Sequence, residues 1–359
     1  RGLGDVYKRQ QEVYASVASK YAVNRVWDIA LSADMQYNVL HSNMDGFVFP
    51  RRLTTLVAVA TALDLGKVKI QSSLLATWVR ERIRSGNTAQ EDSAKAAPDK
   101  REFTPAVFLS YKPFKRHDFN IRAFYKQIFR MPTFNDLYYT DIGNIALRPE
   151  FTHQYNLGMQ YGKTFKRGWI SRIDLQADAY YNEVTDKIVA VPKGNGQYRW
   201  MMMNLGYVEI RGIDASSTTE FRLPWDILLN LRLTYTYQKA QDFTKRKSDV
   251  LQNLTYGGQI PYIPWHSGSV IAGIHWRSWQ LNYSFIYVGE RYHSSANIRE
   301  DYEQPWYTHD MALIKNFKVK DTNLRLALEV NNLLAQDYEV VLNYPMPKRN
   351  YKLSFTVEI

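Results

Sequence analysis

The sequence predicts an all-β chain, a transmembrane antiparallel up-and-down β-barrel. Three observations carry that prediction. Long segments alternate apolar and polar residues with a period of two, the pattern of a sheet that separates two different solvents. The links between these segments alternate short and long to the end of the chain, as turns and loops do in bacterial outer-membrane barrels. Aromatic residues make up 14% of the 359, with 26 Tyr, 16 Phe and 9 Trp. Yet no apolar run reaches the roughly 18 residues of a spanning helix. An apolar band built from every second residue accommodates both facts.

The expected strands, about fourteen in all, come in this order. The first five are 27–41, 52–63, 67–83, 102–111 and 118–127. Next come 151–163, 169–182, 205–222 and 227–239. In 169–182, Ile173, Leu175, Ala177, Ala179 and Tyr181 share one face, and Arg172, Asp174, Gln176 and Asp178 share the other. In 227–239, Ile227, Leu229, Leu231, Leu233, Tyr235 and Tyr237 oppose Asn230, Arg232, Thr234, Thr236 and Gln238. The last five are 266–276, 279–290, 306–319, 322–332 and 349–359. There Leu324, Leu326, Leu328 and Val330 oppose Asn323, Arg325 and Glu329, and Tyr351, Leu353, Phe355, Val357 and Ile359 oppose Lys352, Ser354, Thr356 and Glu358. A crossing strand needs about 9–11 residues, and most of these meet that length, whereas strands of soluble proteins average about 5–6.

Short turns fall near 64–66, 112–116, 165–168, 223–226, 277–278 and 320–321. Long links fall near 42–51, 84–101, 128–150, 183–204, 240–265, 291–305 and 333–348. An even strand count whose last member follows a long link leaves the C-terminus on the short-turn, periplasmic side. The polar stretch 81–102 reads as a mobile loop. Tyr180, Tyr181, Tyr235, Tyr237, Tyr283, Tyr287, Trp276 and Trp279 stand near strand ends, as barrel girdles do.

Composition narrows the chemistry. There is no cysteine, hence no disulfide framework and no thiolate metal site. The net charge is +11, which suits nucleic acid, an anionic membrane surface or an anionic ligand. The cations are spread along the chain, and the densest runs, Lys245-Arg246-Lys247 and Lys115-Arg116, lie in links. No nucleic-acid partner is expected. The seven histidines, His41, His117, His153, His266, His275, His293 and His309, show no metal-type spacing. "HSS" at 293–295 holds a His beside Ser, but a lone pair in a polar loop is a weak catalytic signal. No Gly-rich phosphate loop occurs. No catalytic, cofactor or metal residue is therefore expected. Arg172, Asp174, Asp178, Arg232, Arg325 and Glu329 are expected to face the lumen and to pair with a plug or with each other rather than bind ligand.

Residues 1–10, "RGLGDVYKRQ", lack the apolar core of a signal peptide and read as a foreign, adapter-derived segment. Residues 11–359 read as one barrel portion.

The stretch "FRMPTFNDLYYTDIGNIALRPE" (129–150) is long and irregular, and a loop of that length needs a job. Its prolines and tyrosines suit a stiff cap on the barrel rim. Its residues Phe129, Arg130, Pro132, Thr133, Leu137, Tyr138, Gly143, Asn144, Leu147, Pro149 and Glu150, followed by Tyr155, Leu157 and Gly158, resemble the C-terminal half of TonB-dependent outer-membrane receptors. "DAYYNEVTDKI" (178–188) resembles an aromatic strand end of that family. "NLGYVEIRGID" (204–214) continues the likeness through Asn204, Leu205, Gly206 and Gly212, with Asp214 for the usual Glu. So does 330–359 through Asn332, Tyr338, Pro347 and Arg349. Lys348 for Gly and Ile359 for a terminal Phe depart from the family pattern, and the first implies a different turn.

The resemblance implies an incomplete barrel of about 14 of about 22 strands, with the plug domain and the TonB-binding segment absent. Such a sheet is expected to stay open, with two unpaired edges. It also implies a place in the Gram-negative outer membrane and energised uptake of a scarce ligand: a ferric siderophore, haem, cobalamin or an oligosaccharide. The implied partners are outer-membrane lipid and lipopolysaccharide, a small-molecule ligand, and the TonB complex through the missing N-terminal region. A passive porin-type channel remains open as an alternative, as do an outer-membrane barrel enzyme and a soluble β-protein.

Overall fold

The computed structural model describes residues 8–43, 47–85, 96–138, 143–192, 200–244, 255–319 and 322–358. Residues 1–7, residues 86–95 of the stretch read as a mobile loop, Lys245-Arg246-Lys247, the turn 320–321 and Ile359 lie outside them.

The first strands are β1 (Lys8–Ala22), β2 (Trp27–Ser42), β3 (Val48–Asp64), β4 (Val68–Ser85), β5 (Lys100–Tyr111) and β6 (Asp118–Arg130). A five-residue helix, α1 (Phe134–Tyr138), precedes β7 (Glu150–Thr164), β8 (Ile170–Pro192), β9 (Trp200–Leu223) and β10 (Ile227–Asp242). Then come β11 (Gly258–Gln259), β12 (His266–Trp276), β13 (Trp279–Val288), β14 (Arg291–Tyr292) and β15 (Tyr302–Glu303). The chain closes with β16 (Trp306–Val319), β17 (Thr322–Asn331), β18 (Glu339–Val341), β19 (Tyr344–Pro345) and β20 (Asn350–Glu358). The long strands pair in chain order, and β1 and β20 are the two ends of that order.

All fourteen expected strands are present, with three corrections. β1 was missed because its core-spaced positions are weakly apolar: Val13, Ala15, Val17 and Ser19 alternate with Tyr14, Ser16 and Ala18. Its residues Lys8, Arg9 and Gln10, from the segment read as adapter-derived, pair with Ser42, His41 and Leu40. The link read at 183–204 is mostly strand, since β8 runs on to Pro192 and β9 starts at Trp200. The stretch read as a mobile loop is shorter than expected, since 81–85 extend β4 and 100–102 open β5. These extensions lack the regular apolar alternation of the other segments, so hydrogen bonding to a neighbouring strand carries them, together with burial at single positions such as Ile83, Val184 and Ile188.

The fold divides into two compact units. One holds residues 1–111, 123–155 and 182–208, the other 112–122, 156–181 and 209–359. In the first, register places Leu31 opposite Val59, Val59 opposite Leu74, and Leu74 opposite Pro105. In the second, Leu229 faces Ile274, Ile274 faces Leu281, Leu281 faces Leu313, Leu313 faces Leu328, and Leu328 faces Leu353. Directly opposed residues of an antiparallel pair share a face, so each unit carries a continuous apolar stripe. That stripe is exposed: Leu353 is 70% and Phe355 61% accessible. An apolar face this extensive needs an apolar solvent.

The opposite face carries ion pairs within the second unit: Arg172–Asp174 at 2.6 Å, Arg122–Asp178 at 3.2 Å and Lys352–Glu329 at 3.5 Å. Two motif glycines make room there. A Cβ on Gly158 would collide with the Asp178 carboxylate. One on Gly212 would collide with the Tyr237 carbonyl oxygen and sit 2.6 Å from the Tyr180 hydroxyl. The Asp178 side chain swings aside, whereas the Tyr237 backbone is tied into the sheet. Gly212→Ala is therefore expected to destabilise the sheet by about 1–3 kcal/mol, and Gly158→Ala by less. Heat-modifiable gel mobility reads both. Adding Asp178→Ala should relieve Gly158→Ala and leave Gly212→Ala unchanged.

Candidate functional site

The family-motif stretch folds into a braced root for the outer loops of the first unit. Thr133 and Asp136 cap α1 reciprocally. The Thr133 N–H donates to Asp136 Oδ2 at 2.8 Å, and the Asp136 N–H donates to Thr133 Oγ1 at 3.2 Å, the logic of a capping box. This short helix replaces part of the irregular cap expected from sequence. It turns Phe134, Leu137 and Tyr138 inward onto Leu40, Phe47, Ile83, Ala97, Leu147 and Ile188. Pro132 is fully buried beside it.

Under that apolar cluster lies a charged pair that sequence reasoning missed. Glu81, on β4, is 0% exposed. Arg52, on β3, reaches its Oε2 through Nη2 at 2.6 Å and Nε at 2.7 Å. The Arg52 guanidinium also lies 4.9 Å from the Phe134 ring centroid. The Tyr138 hydroxyl donates to Glu81 Oε1. Burial, and then the Glu81 carboxylate, push the Tyr138 pKa up, so the phenol stays protonated and keeps donating. A buried carboxylate is tolerable only with such partners. The only sequence signal was an Arg-Arg pair at one strand end and an Arg-Glu-Arg run at the next.

The remaining motif residues tie loop segments together. Arg130 pairs with Asp136 at 3.3 Å and Glu150 at 3.5 Å. Glu150 Oε2 also accepts the Ile188 N–H at 3.0 Å. Asn144 donates to the Met202 carbonyl at 3.1 Å. Asn204 accepts the Arg148 N–H at 2.8 Å and donates to the carbonyls of Arg148 and Asp186 at 3.0 and 2.7 Å. Phe129 packs on Phe151 with centroids 5.2 Å apart. Pro149 and Leu205 are buried, and Gly143 and Gly206 are half-buried. These motif residues thus link one loop segment to another.

The second unit repeats the scheme at its loop ends. Asn332, with φ 50°, accepts the Gln336 N–H at 2.9 Å and donates to the Gln336 carbonyl at 2.8 Å. It also reaches the Pro347 carbonyl at 3.4 Å. Tyr338 stacks on Trp306 at 4.6 Å, and Arg349 Nε donates to the Leu333 carbonyl at 2.8 Å. Lys348 pairs with Asp337 at 2.8 Å and is not among the left-handed residues, so that position does not need glycine.

Buried Arg291 joins two outer ribbons, β14–β15 and β18–β19. It donates to the carbonyls of Val340 at 3.0 Å and of Glu339 and Gln304 at 3.3 Å. His293 lies 3.3 Å from Asp301 and 3.2 Å from Glu303, while Ser294 Oγ accepts the Ala296 N–H. His293 is a loop brace here. Among the described residues no group of three or more His, Asp or Glu could hold a metal. On and beside the β18–β19 ribbon, Leu342, Tyr344 and Met346 are exposed.

Long strands with an apolar outer stripe, a charged inner face and stiffened loop roots define the wall of an outer-membrane barrel. The chain belongs to the family described as TonB dependent receptor-like, beta-barrel, which matches residues 47–333, and its place is the Gram-negative outer membrane. It is 27% identical over 237 residues to the vitamin B12 transporter BtuB of Photobacterium profundum, covering 64% of this chain and 33% of that protein. It is 33% identical over 92 residues to BtuB of Vibrio vulnificus, covering 26% of this chain and 14% of that protein. Among solved structures, the ferric citrate transporter FecA in its unliganded form matches with a TM-score of 0.74 at 12% identity, over 98% of this chain and 54% of that one. The chain thus spans about a third of the first curated relative and about half of the solved one.

Two substitutions test the root. Asn204→Ala removes three hydrogen bonds, and amide exchange in 143–150 should accelerate by roughly 10-fold or more while the strands stay protected. Tyr138→Phe leaves the buried Glu81 short of a donor and should destabilise the first unit by about 1–3 kcal/mol. Unchanged thermal stability of the folded barrel would contradict that role.

Proposed function

We propose that this chain is the barrel portion of a receptor for energised uptake of a scarce ligand across the outer membrane, with cobalamin as the first candidate. The observation that carries the reading is the family match over 47–333. The braced loop roots support it, because capture by loops needs them held in place. The ligand choice rests on two curated relatives that are both vitamin B12 transporters. In this reading the exposed ribbon around Tyr344 contributes to capture. The TonB complex supplies energy through a part of the protein outside this chain.

The test uses the complete gene product in a strain that lacks its own cobalamin receptor. Growth on limiting cobalamin should be restored, and the restoration should vanish when TonB is deleted. Equal growth with and without TonB would overturn the energised reading in favour of a passive channel. No restoration on cobalamin, with TonB-dependent uptake of a ferric chelate under iron limitation, would overturn the ligand.

A further inference from the structure

A trough and a cation cluster meet on the second unit. The trough holds about 440 Å³ and is lined almost wholly by the apolar stripe. Small residues open it: Ala177, Ala215 and Ser217 stand between Tyr161 of β7 and Leu233 and Tyr235 of β10. Bulky residues at those three positions would make the stripe flush with its neighbours. At one end the lining reaches Phe119, the second residue of β6 and so next to a short turn.

That end is strongly basic. The turn between β5 and β6 carries Lys112, Lys115 and Arg116, and the turn between β7 and β8 follows Lys163 with Lys166 and Arg167. All six are exposed. β6 and β7 are neighbours in the sheet, so the two turns are adjacent. Of the nearby carboxylates, Asp118 lies 3.9 Å from Lys112, a weak exposed pair, and Asp174 is paired with Arg172. Aromatic rings mark the interface level there. Phe114 packs 6.1 Å from Phe119, Lys163 lies 4.8 Å from the Phe165 ring centroid, and Trp169 is 71% exposed. Rings exposed beside cations are characteristic of the headgroup zone. From Phe165 to Met159 the strand spans about 20 Å, the scale of one lipid chain.

We propose that this surface binds one anionic glycerophospholipid of the periplasmic leaflet, with an acyl chain in the trough and its phosphate on the cations of the two turns. Clustered Lys and Arg at a membrane surface attract anionic head groups, and the trough gives the attached chain a fixed place. The long loops lie at the opposite ends of these strands, away from this cluster. The proposal rests on the outer-membrane placement. Lipid retention is read apart from ligand uptake, so either finding stands if the other fails.

The experiment is native mass spectrometry of the complete gene product, purified from outer membranes in mild detergent and supplied with phosphatidylglycerol, phosphatidylethanolamine or rough lipopolysaccharide. One phosphatidylglycerol per protein should be retained, in preference to phosphatidylethanolamine by roughly tenfold. The triple variant Lys115→Ser/Lys166→Ser/Arg167→Ser should abolish that preference. Ala215→Leu, which fills the trough, should lower retention of both phospholipids. If Ala215→Leu does not reach the heat-modifiable folded form, the triple variant, whose changes lie in exposed turns, still decides. Unchanged preference in the triple variant, or retention of lipopolysaccharide in place of phospholipid, would overturn the proposal.

Discussion

Backbone hydrogen bonding in a solvent that offers none is the constraint on which this structure depends. Every N–H and C=O at hydrocarbon depth must be satisfied by a neighbouring strand. Strands must therefore be long and paired along their length, and β3 and β4 stay in register from Val48↔Ser85 to Asp64↔Lys69. Register in turn decides side-chain placement. A slip of one residue would carry Leu328 and Leu353 from the lipid face to the wet one. The unbroken row from Leu229 to Leu353 is the result of holding register across successive strands.

The same constraint explains where irregular backbone is allowed. Turns and loops belong outside the hydrocarbon, and each end treats them differently. The short turns use local devices: Gly66, with φ 80°, donates to Asp64, and Arg277 takes φ 53° in a two-residue turn. The outer links are too long for that. They are held by side chains acting as backbone partners, which is the work of Asn204, Asn332 and Arg291. Stiffening is costly only where charge is buried. There Arg52, Glu81 and Tyr138 satisfy one another, and removal of one member leaves the others exposed to a low-dielectric surround.

Polar and apolar faces are not interchangeable supports. On the wet face, Gly158 and Gly212 yield space so that Asp178 and Tyr180 fit between strands. On the lipid face, Ala177, Ala215 and Ser217 yield space that nothing in the chain fills. The first kind of gap is occupied by the protein itself, while the second is left to the solvent of that face.

The sequence alone determined the strands and their faces, because a two-residue period survives without knowledge of neighbours. The fourteen segments from Trp27 onward, the alternation of turn lengths and the family motif were all legible in it. Of the six charges expected to face the lumen, Arg172, Asp174, Asp178 and Glu329 lie in ion pairs, Asp178 with Arg122 and Glu329 with Lys352. β1 was not legible, since its small and polar residues alternate too weakly. Nor were the ends of β8 and β9, where buried residues such as Val184 and Ile188 are spaced too irregularly to read as a strand. Only the tertiary structure decided that Glu81 meets Tyr138 across 57 residues, that Arg291 ties Val340 across 49, and that three small residues on β8 and β9 open one trough. Such contacts depend on which strands are neighbours and in what register, and no local pattern of residue types encodes those distances.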